Sequence, residues 1–230
     1  MATEDTSAPS WREVAVARSL DPARARAEGR VQRFLDAALE LMNTSPDFTV
    51  QEVVEKSGQS LRSFYQYFAG KYELLLGLFE ESVRATAEQL RIAVDDVDDP
   101  LERLHTFAVE YYRVCRPAPP KARSSKKSPS PATMAAFAQQ LLTEHPKEAS
   151  RAFVPLVALF EELLEAAEAS GQIRKGLAHH RIAGVVLESI MFNIFATTIS
   201  GASPKAESGD DGAEGLWELL LYGIGTDGPR

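Results

Sequence analysis

The sequence predicts an all-α protein, on three observations. Apolar residues recur at i, i+4 and i+7 in one segment after another, the spacing that puts them on one face of a helix. Clusters of Pro, Gly, Ser and Asp separate these segments and supply caps and breaks. No run alternates apolar and polar residues as a half-buried strand does. Of 230 residues, 44% are hydrophobic, enough to build a buried core rather than a disordered chain.

The elements follow in order. Residues 1–10 are polar and are expected to fray. Trp11 to Leu20 carries Val14, Ala15 and Ala17 at the spacing of a short helix, and Arg24, Arg26, Arg30 and Arg33 crowd the stretch behind it. A firmer helix is predicted from about Ala27 to Met42, with Val31, Leu35, Ala38, Leu39 and Met42 on one stripe, and residues 43–47, which contain Pro46, end it. Thr49 can cap a short helix in which Val50, Val53 and Val54 face inward, and Ser57-Gly58-Gln59 breaks it. Ser60 caps a second short helix, Leu61 to Gln66. Isolated helices under about 12 residues are marginal in water, so these two must brace each other and the helix before them. That arrangement is a three-helix helix-turn-helix unit.

A long helix is predicted from Gly70 or Lys71 to about Val94, with Leu75, Leu78, Phe79, Val83, Ala87, Leu90 and Val94 on one face. After an acidic turn another runs from Leu101 to Cys115. Residues 117–131, rich in Pro, Ser and Lys, read as a loop. Helices are expected near Ala132 to Glu144 and Lys147 to Ala169, where Pro155 either kinks the second or marks its start. Ile182 to Phe195 is apolar on nearly every side and so must be covered on nearly every side. Residues 201–212 read as a linker, and the last helix carries Leu216, Trp217, Leu220, Leu221 and Ile224 on one stripe.

Composition narrows the function classes. Every apolar stretch is interrupted before the roughly 18–20 residues a membrane span requires, so no membrane partner is expected. The acidic start, Met1-Ala2-Thr3-Glu4-Asp5, is unlike a secretory signal, and a cytoplasmic location is expected. Cys115 is the lone cysteine, which excludes an intrachain disulfide and a cysteine-rich zinc site. His105, His145, His179 and His180 are scattered, with no pair at i, i+4, and no phosphate loop, dinucleotide fingerprint or serine nucleophile elbow is present. No catalytic residue, metal or cofactor is therefore expected. The net charge of -8 is unevenly spread, and residues 11–71 carry +1.

The segment Phe48 to Phe68, followed by Lys71 and Leu74-Leu75 and preceded by Ala37-Ala38 and Leu41, resembles the DNA-binding signature of the TetR/AcrR regulator family. The resemblance covers residues 30–76. It implies that the second short helix lies in the major groove while flanking helix ends hold phosphates. Carried over by position, the implied DNA contacts are Thr49, Gln51, Leu61, Arg62, Ser63, Tyr65, Gln66, Tyr67 and Lys71. Thr49 and Lys71 would meet phosphates at helix N-termini. Arg62 would read a guanine, and Leu61 could touch a thymine methyl group. Gln59, Leu61 and Arg62 depart from the usual pattern, which alters base preference rather than fold. Arg24, Arg26 and Arg30 could form a minor-groove arm, or else a solvated helix face.

The resemblance further implies a C-terminal half that binds a small effector and forms a homodimer, since reading a palindromic operator requires two-fold symmetry. The domains expected are a 1–22 extension, a 23–70 DNA-binding domain and a 71–230 ligand-binding and dimerisation domain. Phe107, Tyr111, Cys115, Met134, Phe137, Leu141, Phe160 and Phe192 are candidates to line a pocket for a hydrophobic effector. Ile182, Val186, Ile190, Trp217, Leu220 and Leu221 are candidates for the dimer interface. The function expected is an effector-released repressor. The alternatives are a helical enzyme, for which the chain offers little, and a ligand-binding or adaptor protein that does not regulate transcription.

Overall fold

The computed structural model describes residues 10–44, 47–116, 131–200 and 211–224. The expected frayed terminus, the Pro-rich loop and most of the 201–212 linker lie outside these residues. Among the described residues the chain forms nine helices and no strand. They are α1 (Trp11–Thr44), α2 (Val50–Ser57), α3 (Leu61–Tyr67), α4 (Lys71–Asp95), α5 (Pro100–Cys115), α6 (Pro131–Glu144), α7 (Pro146–Ala169), α8 (His179–Ser200) and α9 (Asp211–Ile224). The all-α expectation is borne out, as is an N-terminal helix-turn-helix followed by a larger helical body.

One element differs from the sequence reading, and the alternative start at Pro155 is resolved. α1 is one helix where two were expected, and it runs through Pro22. Proline deprives the carbonyl four residues back, that of Arg18, of its amide partner. Arg18, Asp21 and Pro22 are all exposed, so that carbonyl does not have to be left unpaired in a dry interior. α7 begins at Pro146, in the first helical turn where a missing N–H costs nothing, and continues through Pro155 without restarting there.

Two cores hold the chain together. The smaller one is built from Phe34, Leu35, Ala38, Leu39 and Met42 of α1, Phe48, Val53 and Val54 around α2, Phe64 and Phe68 around α3, and Leu74 and Leu78 of α4. Phe34 meets Phe64 and Phe68 edge-on, with centroids 5.4 and 6.0 Å apart. The larger core joins α4 to α8, with Phe79, Leu90, Phe107, Phe160, Leu164 and Ile190 among its members. α4 thus belongs to both. Leu74 and Leu78 close the small core while Leu76 and Phe79 onward enter the large one, so the division expected at residues 70/71 falls inside shared packing. Arg91 bonded to Glu162 at 2.8 Å and Arg151 bonded to Glu80 at 3.0 Å fasten α4 to α7 along its length.

Candidate nucleic-acid interface

The turn between α2 and α3 is set by its sequence. Gly58 has φ 64°, a left-handed conformation that a side chain disfavours. Its N–H bonds to the Glu55 carbonyl at 3.2 Å and that of Gln59 to the Val54 carbonyl at 3.3 Å, which satisfies the end of α2. Ser60 then caps α3 by accepting from the Ser63 N–H at 3.1 Å. Phe64 locks α3 onto α1, and the remaining α3 residues sort by angle around it.

Leu61, Arg62, Tyr65 and Gln66 share the outward face of α3 and are all exposed, Tyr65 at 57%. Arg62 has no ion pair among the described residues. Tyr65 is held edge-on against Phe64 at 5.4 Å, so its hydroxyl is presented on a fixed ring. Ser63 and Tyr67 lie one turn apart on the flank of this face and are half-buried. Ser63 was expected to offer its hydroxyl outward, yet that oxygen is buried and has no hydrogen-bond partner. Its position beside the Phe64 anchor turns it away from the reading face.

The N-terminus of α2 holds a feature that the sequence reading missed. Thr49 is engaged in a capping box: its Oγ1 accepts from the Glu52 N–H at 3.2 Å and donates to the Glu52 carboxylate at 2.8 Å, and its N–H donates to that carboxylate at 2.6 Å. The Thr49 amide and hydroxyl hold the Glu52 carboxyl below the usual carboxylate range. Glu52 therefore occupies the anion position at this helix end. The signal was the Thr-x-x-Glu spacing itself. Gln51 is exposed, with its amide donating to Glu55 at 2.9 Å. Lys71 opens α4 with its ammonium 4.3 Å from the centre of the Phe48 ring, which brings the start of α4 beside the start of α2. The structure therefore groups Leu61, Arg62, Tyr65 and Gln66 as one face, with Thr49, Gln51 and Lys71 around two helix starts.

Arg24, Arg26 and Arg30 do not form an extended arm. They lie within α1, exposed, and Arg24 is bonded to Glu28 at 2.7 Å. With side chains an α-helix is about 10–12 Å across, wider than a minor groove of about 6 Å.

In the body, most of the residues expected to line a pocket are packed core. Phe107, Tyr111, Phe137, Leu141 and Phe160 are buried in one cluster, with Phe107 4.9 Å from Phe160, and Cys115 and Phe192 pack against it half-buried. The side chain of Met134 lies outside the described ones. Burial pushes the Cys115 thiol up to about 12 against the pull of its hydrogen bond to Tyr111, so it is a packing group rather than a nucleophile. A depression of about 500 Å³ lies elsewhere, on Arg84, Ala85, Glu88, Gln89 and Ile92 of α4. The histidines stand on separate contacts between helices: His105 bonds Glu214 at 2.9 Å, His180 bonds Glu161 at 2.9 Å, His179 pairs with Glu168 and His145 lies against Tyr72.

The interface residues need a correction. Val186 and Ile190 are 6% and 1% exposed, inside the protomer's own core, and Ile182, Trp217 and Leu220 pack half-buried against it. Leu221 is half-buried. Among the described side chains of α8 and α9, the large apolar ones facing outward are Val185, at 58% exposed, and Leu219 and Tyr222, at 70% and 62%. A helix apolar all round does not reveal by periodicity which side its own domain covers.

The arrangement is that of a helix-turn-helix reading head on a helical body. Residues 34–78, which span the head, match the family described as bacterial regulatory proteins, tetR family. The chain as a whole has the fold of regulators of that kind. The fatty acid degradation regulator FadR of Bacillus halodurans superimposes with a TM-score of 0.64 at 16% identity, over 84% of this chain and 94% of that one. FadR of Bacillus subtilis, solved in complex with stearoyl-CoA, gives 0.63 at 16% identity over 84% and 98%. SmeT, repressor of a multidrug efflux pump of Stenotrophomonas maltophilia, gives 0.60 at 14% identity over 86% and 91%. At these identities the likeness establishes the fold. Sequence comparison with curated proteins gives no match. No helix among the described residues is long and apolar enough to cross a membrane.

Proposed function

We propose that this protein is a homodimeric, sequence-specific transcription repressor that occupies a palindromic operator and leaves it when a small hydrophobic effector binds the helical body. The observation that carries the reading is the outward face of α3, where Leu61, Arg62, Tyr65 and Gln66 stand exposed on a helix fixed from behind by Phe34, Phe64 and Phe68. Rigid backing with a free polar face is what base readout requires, because a side chain that wanders loses its bidentate geometry. Arg62 is assigned to guanine O6 and N7, Gln66 and Tyr65 to neighbouring base edges or phosphates, and Leu61 to a thymine methyl. Thr49, Gln51, Tyr67 and Lys71 hold the backbone, with phosphate displacing the Glu52 carboxylate from Thr49. A cytoplasmic location follows from this role.

Dimerisation through Val185, Leu219 and Tyr222 is supported by their exposure on the two C-terminal helices. Effector control is supported by α4, which belongs to both cores, so a shift of its C-terminal half must be felt at Lys71 and α3. Of the similar structures, one was solved with an acyl-CoA and another is the repressor of a multidrug efflux pump, and an apolar effector suits the aromatic interior around Phe107 and Phe160. The described side chains there pack closely, so the effector selects a conformer in which they part.

The experiment is binding of the purified protein to DNA from upstream of its own gene across a salt series, beside Arg62→Ala. Selective binding with a steep salt dependence, weakened by the substitution, is expected. A folded dimer that binds neither this DNA nor a genomic fragment pool would favour an adaptor or ligand carrier instead.

A further inference from the structure

Helix α1 is much longer than the reading head needs. Among its described side chains the buried ones begin at Phe34, whereas the helix begins at Trp11. The protruding part is basic in an acidic chain: residues 11–33 hold Arg12, Arg18, Arg24, Arg26, Arg30 and Arg33 against Glu13, Asp21 and Glu28, while the whole chain carries -8. Arg24 is matched by Glu28, but Arg12, Arg26, Arg30 and Arg33 are exposed and have no ion pair among the described residues.

These four are in register. Arg12, Arg26, Arg33 and Glu40 are separated by multiples of seven, and Arg30 lies four residues beyond Arg26, so all project from one side of the helix with a drift of about 20° per heptad. Glu40 shows which side that is, because it is bonded to Lys56 of α2 at 2.7 Å. Arg33, one heptad before Glu40, therefore stands on the flank of α1 that meets the helix-turn-helix, and the row continues from it toward Trp11. At 1.5 Å per residue, Arg12 to Arg33 spans about 31 Å, close to one turn of duplex at about 34–36 Å.

We propose that this arginine row is a second DNA-contacting surface, a helical rail lying along the phosphate backbone that flanks the sequence read by α3. The inference rests on the DNA-binding reading. A helix too wide for the minor groove can still lay guanidinium groups on successive phosphates, and such contacts add affinity without specifying bases. Residues 11–33 carry +3 and residues 34–71 carry -2, so the rail brings positive charge that the rest of the head lacks.

The test takes the duplex that the wild-type protein selects from a random pool, cut flush with its outermost specified bases, and the same duplex with about ten arbitrary base pairs added at each end, one helical turn. Wild type is expected to bind the longer duplex about tenfold more tightly at low salt. Changing Arg26, Arg30 and Arg33 together to Gln should abolish that preference and reduce the salt slope by about 0.9 for each phosphate that is no longer neutralised, while the triple Lys variant keeps both. All three side chains are exposed, so an unchanged melting temperature checks the fold. If the Gln variant keeps the wild-type preference and slope while Arg62→Ala still destroys selective binding, the rail is refuted and the DNA reading stands. If wild type selects no duplex at all, both fall.

Discussion

Phe34→Ala tests whether the reading head is a separate, small core. The ring is fully buried and packs edge-on against Phe64 and Phe68 at interplanar angles of 89° and 88°. Truncating such a phenylalanine costs about 3–5 kcal/mol, within which each edge-to-face pair accounts for about 0.5–1.5 kcal/mol. A core of under about 70–80 residues supplies roughly 3–5 kcal/mol in all. The cost matches the whole stability of the head, so α2, α3 and the C-terminal part of α1 should unfold. The larger cluster around Phe107, Phe160 and Leu164 should remain. Circular dichroism should then show a partial loss of helicity, limited proteolysis should open residues 34–70, DNA binding should vanish, and the oligomeric state should be unchanged. Phe34→Leu, which keeps much of the volume, should lose less. Two results would refute this: wild-type helicity and DNA binding, or a single transition that melts the entire chain. The latter would mean that α4, through Leu74, Leu75 and Leu78 on one side and Leu76 and Phe79 on the other, welds the cores into one cooperative unit.

Further expectations concern single side chains. Glu52→Gln keeps the capping geometry but removes a carboxylate from the anion position at Thr49, so DNA affinity in titrations at fixed salt should rise with little change in melting temperature; a fall in affinity would contradict the assignment of that position to phosphate. Tyr72 has a buried hydroxyl without a partner beside Phe137 and His145, so Tyr72→Phe should stabilise the protein by about 1 kcal/mol in urea melts, and a loss of similar size would reveal an interaction the packing does not show. Asp99 caps α5, and bonds from the Glu102 amide, then the Gln172 side chain, hold its carboxyl below the usual range. A depressed folded value means that its contribution is complete above the unfolded value of about 3.9 and fades as pH falls through the folded one. Asp99→Ala should therefore melt below wild type at neutral pH and converge with it in acid, and parallel curves would refute the cap's role. Leu219→Asp should yield a monomer by light scattering that no longer binds the operator, whereas an intact dimer would move the interface elsewhere.

How much the sequence disclosed varies with how local the determining physics is. The head was legible because its signals are short-range: Thr49 and Ser60 as caps, Gly58 as the turn, Phe64 and Phe68 bracketing the recognition helix. Four of the outward residues, Leu61, Arg62, Tyr65 and Gln66, follow from the position of Phe64 on a helix of known pitch. Ser63 was misjudged because its hydroxyl lies near the edge between the two faces, where a small rotation decides burial. Val186 and Ile190 were placed on the wrong side because α8 is apolar all round, and only the packing of α5, α6 and α7 shows which side the protomer covers. The first helix was expected to end at Leu20, yet α1 continues through the exposed Pro22. The pocket residues were legible as apolar and inward, which is equally the description of a solid core.

The most direct test of the central claim is selection of duplexes from a random pool by the wild-type protein, with Arg62→Ala carried through in parallel. An enriched inverted repeat is expected, containing a guanine that the Arg62 variant ceases to require, since each protomer of a two-fold dimer reads one half-site. A folded protein that enriches no sequence, or one whose enriched sequence is the same with and without Arg62, would contradict it.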